Sequence, residues 1–317
     1  MSADRVAAID CGTNSIRLLV AAPEPPDPAG GRPTRLRDLE RTMQIVRLGE
    51  GVDRTGRLDA AALGRTFAAL REYAARIDVL GATRVRMVAT SASRDAENAA
   101  EFVAGVHDIL GVAPQVISGD EEAALSYRGA TAGVAESAAP SPRLVVDIGG
   151  GSTEFVLGEG SLVRAARSVD IGCVRMTERH LGADPPTADQ IVQATADIDA
   201  AIRRAGEVVP LDEAHSIIGL AGSVTTVAAI HLGLPDYDPA AIHGHVVPTA
   251  DVRTISDDLL AMSHAQRAAI GVMHPGRVDV IGAGALVLRR ILDLTGLDEV
   301  VVSEHDILDG IAWSLLE

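Results

Sequence analysis

The chain has 317 residues, enough for one large or two medium domains, and 47% of them are hydrophobic, which supplies buried cores and excludes disorder as the default state. The formal net charge is −16, every one of the 28 basic residues is arginine, and aromatic residues make up only 2%. Long-range attraction to nucleic acid and base-stacking platforms are therefore both lacking, which argues against a nucleic-acid partner. A small polyanionic substrate stays open, because salt confines the global repulsion to roughly 8 Å and local arginines or metal ions can receive it. Cys11 and Cys173 are the only cysteines, far apart and without metal-ligand spacing, so neither a disulfide framework nor a zinc site is indicated. With no charged-then-apolar N-terminal signal and no run approaching about 20 apolar residues, the expectation is a soluble cytoplasmic protein with no membrane partner.

In chain order, the apolar run Val6 to Ile9 predicts a buried strand and Ile16 to Ala21 its return partner, so that the residues between them form a hairpin loop. Pro23 to Pro33 reads as a surface loop. Leu58 to Leu80 carries Leu63, Phe67, Leu70, Ala74 and Ile77 at helical spacing, with Asp59 as N-cap and Gly81 as the stop. Val85 to Ala89 predicts a strand leading into a polar turn, Thr90 to Arg94, and then a helix from Asn98 to Leu110. A strand over Val112 to Ile117 precedes Ser118-Gly119-Asp120-Glu121-Glu122, which opens a helix running to about Ala132 with acids where the helix dipole favours them. Ala135 to Pro142 reads as a linker. A second strand, loop and strand follows, entering at Leu144 to Val146 and leaving at Phe155 to Leu157. Helices are predicted over Thr187 to Gly206, Val224 to Leu232, Ala250 to Met262, Val280 to Thr295 and Ile307 to Leu316, with strands at Ser216 to Gly219 and Val300 to Val302. Each half thus begins with a glycine-loop hairpin and continues with alternating helices and strands: a duplicated α/β fold with mixed sheets, divided into residues 1–134 and 135–317.

The chemistry is concentrated in the two hairpin loops. Asp10-Cys11-Gly12-Thr13-Asn14-Ser15 and Asp147-Ile148-Gly149-Gly150-Gly151-Ser152 carry Asp, Gly and Ser at matching offsets. An aspartate at a strand end, followed by small residues whose amides converge, holds phosphate beside a divalent cation. One such loop is an ordinary turn; its duplication points to two lobes gripping one phosphorylated ligand. Asp10 and Asp147 are the candidate metal carboxylates, Thr13, Asn14, Ser15 and Ser152 add short donors, and Glu154 on the outgoing strand points back toward the metal or the first phosphate. Glu121 and Glu122 offer a carboxylate to orient or deprotonate water, and only one of them can face a cleft because helix neighbours diverge by about 100°. Arg94 is placed to clamp a phosphate with its planar fork. A third glycine motif, Gly219-Leu220-Ala221-Gly222-Ser223, opens a helix and equally serves close packing. His243 and His245 read as loop residues, and both cysteines as packing residues.

Ala8 to Ser15 and Val146 to Glu154 resemble the two phosphate loops of the exopolyphosphatase and guanosine pentaphosphate phosphohydrolase (Ppx/GppA) family. Ile117-Ser118-Gly119-Asp120-Glu121-Glu122-Ala123 is similar to the segment carrying that family's catalytic glutamate, Thr90 to Arg94 to its phosphate-clamping arginine, and Ile171-Gly172-Cys173 and Arg277 to Ile281 to further family segments. The resemblance implies two ribonuclease-H-like (actin-like ATPase) lobes with an interlobe cleft, and Glu122 as the catalytic carboxylate. It also implies phosphate binding by Gly12, Thr13, Asn14, Ser15, Arg94, Gly149, Gly150, Gly151 and Ser152, and Mg²⁺ or Mn²⁺ at Asp10, Asp147 and Glu154. The expected reaction is removal of terminal orthophosphate from inorganic polyphosphate, with guanosine pentaphosphate as the rival substrate and a homodimer as the assembly. The family's longer members carry a further C-terminal helical region, so shorter polyphosphates are expected here. An actin-like small-molecule kinase and a non-catalytic nucleotide sensor or filament protein are the competing classes.

Overall fold

The computed structural model describes residues 5–24, 36–131, 134 and 138–316. The chain divides into two compact units, Met1–Ser118 with Ile307–Glu317, and Gly119–Asp306. In the first unit the apolar run at the N-terminus becomes β1 (Val6–Cys11), buried at every position, which turns into β2 (Ser15–Pro23) with Asp10 opposite Arg17 and Cys11 opposite Ile16. Then follow β3 (Leu36–Ile45), α1 (Val52–Thr55) and α2 (Ala60–Leu80). Helix α2 begins where the Asp59 carboxylate accepts the amides of Ala61 and Ala62 at 2.8 and 3.2 Å, and it stops at Gly81, whose φ of 66° suits a residue without Cβ. Its Leu63, Leu70, Tyr73 and Ile77 are buried in one hydrophobic cluster with Ile9, Ile16 and Leu18. The return strand β4 (Arg84–Ala89) lies parallel to β1 and is followed by α3 (Ser91–Asp95), α4 (Ala99–Leu110) and β5 (Gln115–Val116). The five strands lie in the order β3-β2-β1-β4-β5.

The second unit opens with α5 (Gly119–Thr131) and the hairpin of β6 (Arg143–Ile148) and β7 (Thr153–Glu159), which β8 (Leu162–Val169) extends. Next come α6 (Cys173–His180), α7 (Ala188–Gly206), β9 (Ser216–Leu220), α8 (Ala221–His231), α9 (Pro239–Ile242) and β10 (Val246–Pro248). The unit closes with α10 (Thr249–Ala261), α11 (His264–Ala268), α12 (Ile281–Thr295) and β11 (Glu299–Val302). Its sheet runs β10-β11-β9-β6-β7-β8, so apart from the edge strand β10 it repeats the strand order of the first sheet. Alternation along β6 assigns its two faces: Leu144, Val146 and Ile148 enter the large cluster formed with α7, α8, α10 and α12, whereas Val145 joins Ala123, Tyr127 and Ala130 of α5 on the other side. The last helix, α13 (Ile307–Ser314), belongs to the first unit and packs on β1, β2 and β4.

Both glycine-loop hairpins and the long helices fall where the hydrophobic periodicity puts them. The structure adds β3, β8 and β10, shortens the expected strand at 112–117 to Gln115–Val116, and folds the polar turn after β4 into the short helix α3. It also assigns α5 to the second unit and α13 to the first, where the composition-based boundary at 134/135 put each with the other. Most of the expected loop at 23–33 and residues 135–137 of the expected linker at 135–142 lie outside the described residues. No helix among the described residues is long and apolar enough to cross a membrane.

Candidate active site

Three carboxylates of the second unit are gathered on one face of its sheet. Asp147 on β6 pairs directly with Glu154 on β7, and Glu154 with Ser168 on β8. All three have the parity of Val145, Val156 and Ala166, and so lie on the face that α5 covers. From α5, Glu122 and Ser126 stand one turn apart and hence on one side of the helix. Ser126 Oγ donates to Asp147 Oδ2 at 2.7 Å, and Ser168 Oγ donates to Glu154 Oε1 at 2.6 Å. The first turn of α5 comes so close to β8 that a Cβ on Gly119 would lie 2.4 Å from that of Ser168. Glu122, Asp147 and Glu154 are 8%, 6% and 1% exposed, whereas Glu121 is exposed. Burial thus distinguishes the two adjacent glutamates, which residue type and spacing alone left open. Carboxylates this deeply buried are kept only where cations or hydrogen-bond donors meet them.

The loop between β6 and β7 is clamped from behind. Gly149 N closes the turn on Ser152 O at 3.0 Å, while the carbonyls of Gly149 and Gly150 accept the amides of Cys173, Val174 and Arg175 at 2.9, 2.9 and 3.1 Å. Arg175 Nε adds a bond to Gly151 O at 2.8 Å. The N-terminal donors of α6, which need partners outside the helix, thus find them in the loop's carbonyls. The two backbones touch at Gly172, where a Cβ would sit 2.2 Å from the carbonyl of Gly150.

The first unit builds the same turn with a different charge. Gly12 N donates to Ser15 O at 3.0 Å, matching the Gly149 bond atom for atom. The residue opposite Asp10, however, is Arg17, whose Nε and Nη2 both donate to Asp10 Oδ2 at 3.0 and 2.6 Å. Asp10 therefore holds a guanidinium where Asp147 faces a second carboxylate. The loop is fixed by Asn14 O, which accepts the amides of Val46 and Arg47, by Thr13 O, which accepts Gly49 N, and by a hydrogen bond of 2.9 Å between the hydroxyls of Thr13 and Ser91. Through Ser91 it is joined to α3, whose last turn carries Arg94 with Nη1 bonded to Ile117 O at 3.0 Å. Asn14 Oδ1 and Ser93 Oγ are buried and have no hydrogen-bond partner among the described residues, as expected of polar atoms that await a ligand or water.

Other candidates have structural occupations. Burial pushes the thiols of both Cys11 and Cys173 up, so neither is an activated nucleophile. The His243 ring lies tilted against that of His305 with centroids 4.6 Å apart, and His245 Nε2 meets His231 Nδ1 at 2.8 Å. At the third glycine motif a Cβ on Gly222 would fall 2.3 Å from the Arg277 guanidinium, so the small residue there makes room for an arginine. Among the described residues no three or more His, Cys, Asp or Glu side chains close on a single metal point. Sequence reasoning missed Arg17, Ser126 and Ser168: each is recognisable only from strand register or from the packing of α5, neither of which leaves a local pattern.

Two mixed sheets of repeated strand order, each opened by an Asp-x-Gly hairpin, define an α/β chain of the actin-like class. A model of the Ppx/GppA phosphatase family matches residues 29–317. Exopolyphosphatase 2 of Mycobacterium tuberculosis strain H37Rv is 49% identical, over 99% of this chain and 99% of that protein. The guanosine-5'-triphosphate,3'-diphosphate pyrophosphatase of Aeromonas salmonicida is 28% identical over 98% of this chain and 59% of its own length. Among solved structures, an exopolyphosphatase-like protein superposes with a TM-score of 0.92 at 43% identity, covering 98% of each chain. The chain belongs to the Ppx/GppA phosphatase family.

Proposed function

We propose that this chain is an exopolyphosphatase that hydrolyses the terminal phosphoanhydride of inorganic polyphosphate and releases orthophosphate. The observation that carries the reading is the set of three buried carboxylates on one face of the second sheet, Glu122, Asp147 and Glu154, beside a loop whose three glycine carbonyls are bonded to α6. A loop so clamped from behind directs its remaining amides and the Ser152 hydroxyl away from α6, where an anion can meet them. Within the first unit, the loop with Thr13, Asn14 and Ser15 and Arg94 on the neighbouring α3 form a set of donors of their own suited to phosphate. Within both loops the Gly12 and Gly149 amides serve the turn itself, and their glycines serve by keeping the backbone accessible.

The donor set fits Mg²⁺ or Mn²⁺. Hard divalent cations take carboxylate oxygens, and Mg²⁺ in phosphate sites uses one or two carboxylates together with waters and substrate oxygens rather than a closed protein cage. Asp147 and Glu154 would hold it; Asp10, expected as a further metal carboxylate, lies in the first unit and is paired with Arg17. Such an ion, when bound, neutralises phosphate charge and lowers the pKa of attacking water. Glu122 accepts a proton from the attacking water as its oxygen joins the terminal phosphorus, and the bond to the bridging oxygen breaks in line, so no covalent phosphoenzyme is needed. The same chemistry acts on the terminal phosphate of guanosine pentaphosphate, and kinetics on tripolyphosphate and guanosine pentaphosphate side by side assigns the preference. A cytoplasmic location and a homodimer complete the proposal; sizing of the purified protein tests the latter.

The direct test is Glu122→Gln, which keeps the shape of the side chain and removes the base. Phosphate release from tripolyphosphate with Mg²⁺ is expected to fall about 10²–10⁴-fold. Release at the wild-type rate would sink the assignment.

A further inference from the structure

We infer that Ser126 is a positioning residue of this site, setting the separation of the catalytic helix from the metal-binding carboxylate. The inference rests on the exopolyphosphatase reading and deepens it. Ser126 is completely buried on α5, and its hydroxyl donates to Asp147 Oδ2 at 2.7 Å. Because it stands one turn after Glu122, this bond ties the side of the helix that bears the general base to the strand end that bears the metal ligand. Beside it, Ala123, Tyr127 and Ala130 pack against Val145 and Val156, Gly119 lies against Ser168, and the Tyr127 hydroxyl donates to Gly160 O at the turn between β7 and β8, at 3.1 Å. Apolar packing tolerates small sliding and rotation, whereas a hydroxyl–carboxylate bond is short and directional. It also fixes the rotamer of Asp147 by engaging one oxygen, as second-shell donors do for metal-ligating carboxylates. Asp147 lies directly opposite Glu154, and a donor on Asp147 eases the apposition of the two acids before any cation arrives.

The test compares wild type with Ser126→Ala, Ser126→Thr and, as a control, Ser256→Ala, which removes an equally buried hydroxyl from α10. Three readouts are taken on the intact protein: Mn²⁺ affinity without substrate by electron paramagnetic resonance, kcat and KM for tripolyphosphate, and the midpoint of thermal unfolding. Ser126→Ala is expected to weaken Mn²⁺ binding and lower kcat, each by about 10–100-fold, with the KM for tripolyphosphate and the unfolding midpoint close to the control's. Ser126→Thr, which keeps the hydroxyl, restores most of both losses. Wild-type Mn²⁺ affinity and kcat in Ser126→Ala overturn the inference, as does a lowered midpoint with binding and kcat intact. If wild type releases no phosphate from tripolyphosphate, the exopolyphosphatase reading fails, while the Mn²⁺ comparison still decides the role of Ser126.

Discussion

At the scale of residues, the two hairpins differ most at one pair of equivalent positions. The partner of Asp10 across its hairpin is Arg17, and the partner of Asp147 across the other is Glu154. One loop is therefore electrically balanced and suited to holding anions, and the other carries a surplus of negative charge suited to a cation. Opposite responses to the same substitution follow. Asp10→Asn takes the charge from the carboxylate that pairs with the half-buried Arg17; breaking buried pairs costs about 3–5 kcal/mol, and the 20% exposure of the Arg17 side chain puts this one at or below the lower end. Asp147→Asn relieves the apposition of two acids, so unfolding by urea should show equal or higher stability while phosphate release collapses by about 100-fold or more. Activity loss without destabilisation in Asp10→Asn, or the reverse pattern in Asp147→Asn, would contradict the division of labour. The loops themselves were legible in the sequence because the pattern is local and occurs twice. Glu154, the acid that sets the second loop apart, was legible as well; Arg17 was not, since it becomes the counterpart of Glu154 only when the strand register is known.

At the scale of elements, legibility followed burial. The strands β1 and β6 are buried at every position and carry the apolar runs Val6 to Ile9 and Leu144 to Val146, and α2 announces itself with a cap, a periodic face and a stop. The missed strands β3 and β8 border the sheets beyond β2 and β7 and are studded with arginines, Arg37, Arg41, Arg164 and Arg167 among them, so their alternation is blurred by charges that solvent accepts. The helix α6 was missed for another reason: it is short, and its start is fixed by carbonyls of the loop between β6 and β7 rather than by a capping side chain. Gly172 is the point where that dependence can be tested. Its φ of −93° is open to any residue, so only space forbids a side chain, and the obstructing atoms are the backbone of Gly150 and Gly151. Gly172→Ala should therefore push the loop out of place by a large fraction of an ångström, and phosphate release should fall about 100-fold. Gly182→Ala, whose Cβ would meet nothing closer than a side-chain atom at 4.0 Å, serves as the matched substitution and should keep wild-type turnover. Equal rates in the two variants would show that the clamp of α6 on the loop is dispensable.

At the scale of the whole molecule, the two units exchange a helix in the order of the chain. Helix α5 follows the first sheet in sequence but packs on β6, β7 and β8, while α13 follows the second sheet and packs on β1, β2 and β4. Composition suggested a boundary in the small-residue stretch after residue 134, because membership of a helix is decided by which sheet its apolar face covers, and either sheet accepts an alanine-rich helix. One functional consequence is that Glu122, although it precedes the second hairpin in sequence, belongs to the same unit as Asp147 and Glu154. The other is that the first unit depends on the final residues for its stability. Ile307, Leu308 and Ile311 are buried, and at roughly 1.5–3 kcal/mol each they contribute on the order of 5–9 kcal/mol, comparable with the whole stability of a domain. Asp309 adds a two-point ion pair, its Oδ1 and Oδ2 accepting Nη2 and Nη1 of Arg41 on β3 at 2.5 and 3.2 Å. Deleting residues 307–317 should thus unfold the first unit selectively, since no buried face of the second sheet loses its cover. In hydrogen exchange the amides of β1, β2 and β4 should lose protection in the truncated protein, while those of β6, β7 and β9 retain it. Asp309→Ala alone, which spares the aliphatic side chains, should produce only a fraction of that loss. Uniform loss of protection in both sheets on truncation would show that they unfold as one cooperative body, and unchanged protection in the first sheet would show that α13 is not required to hold it.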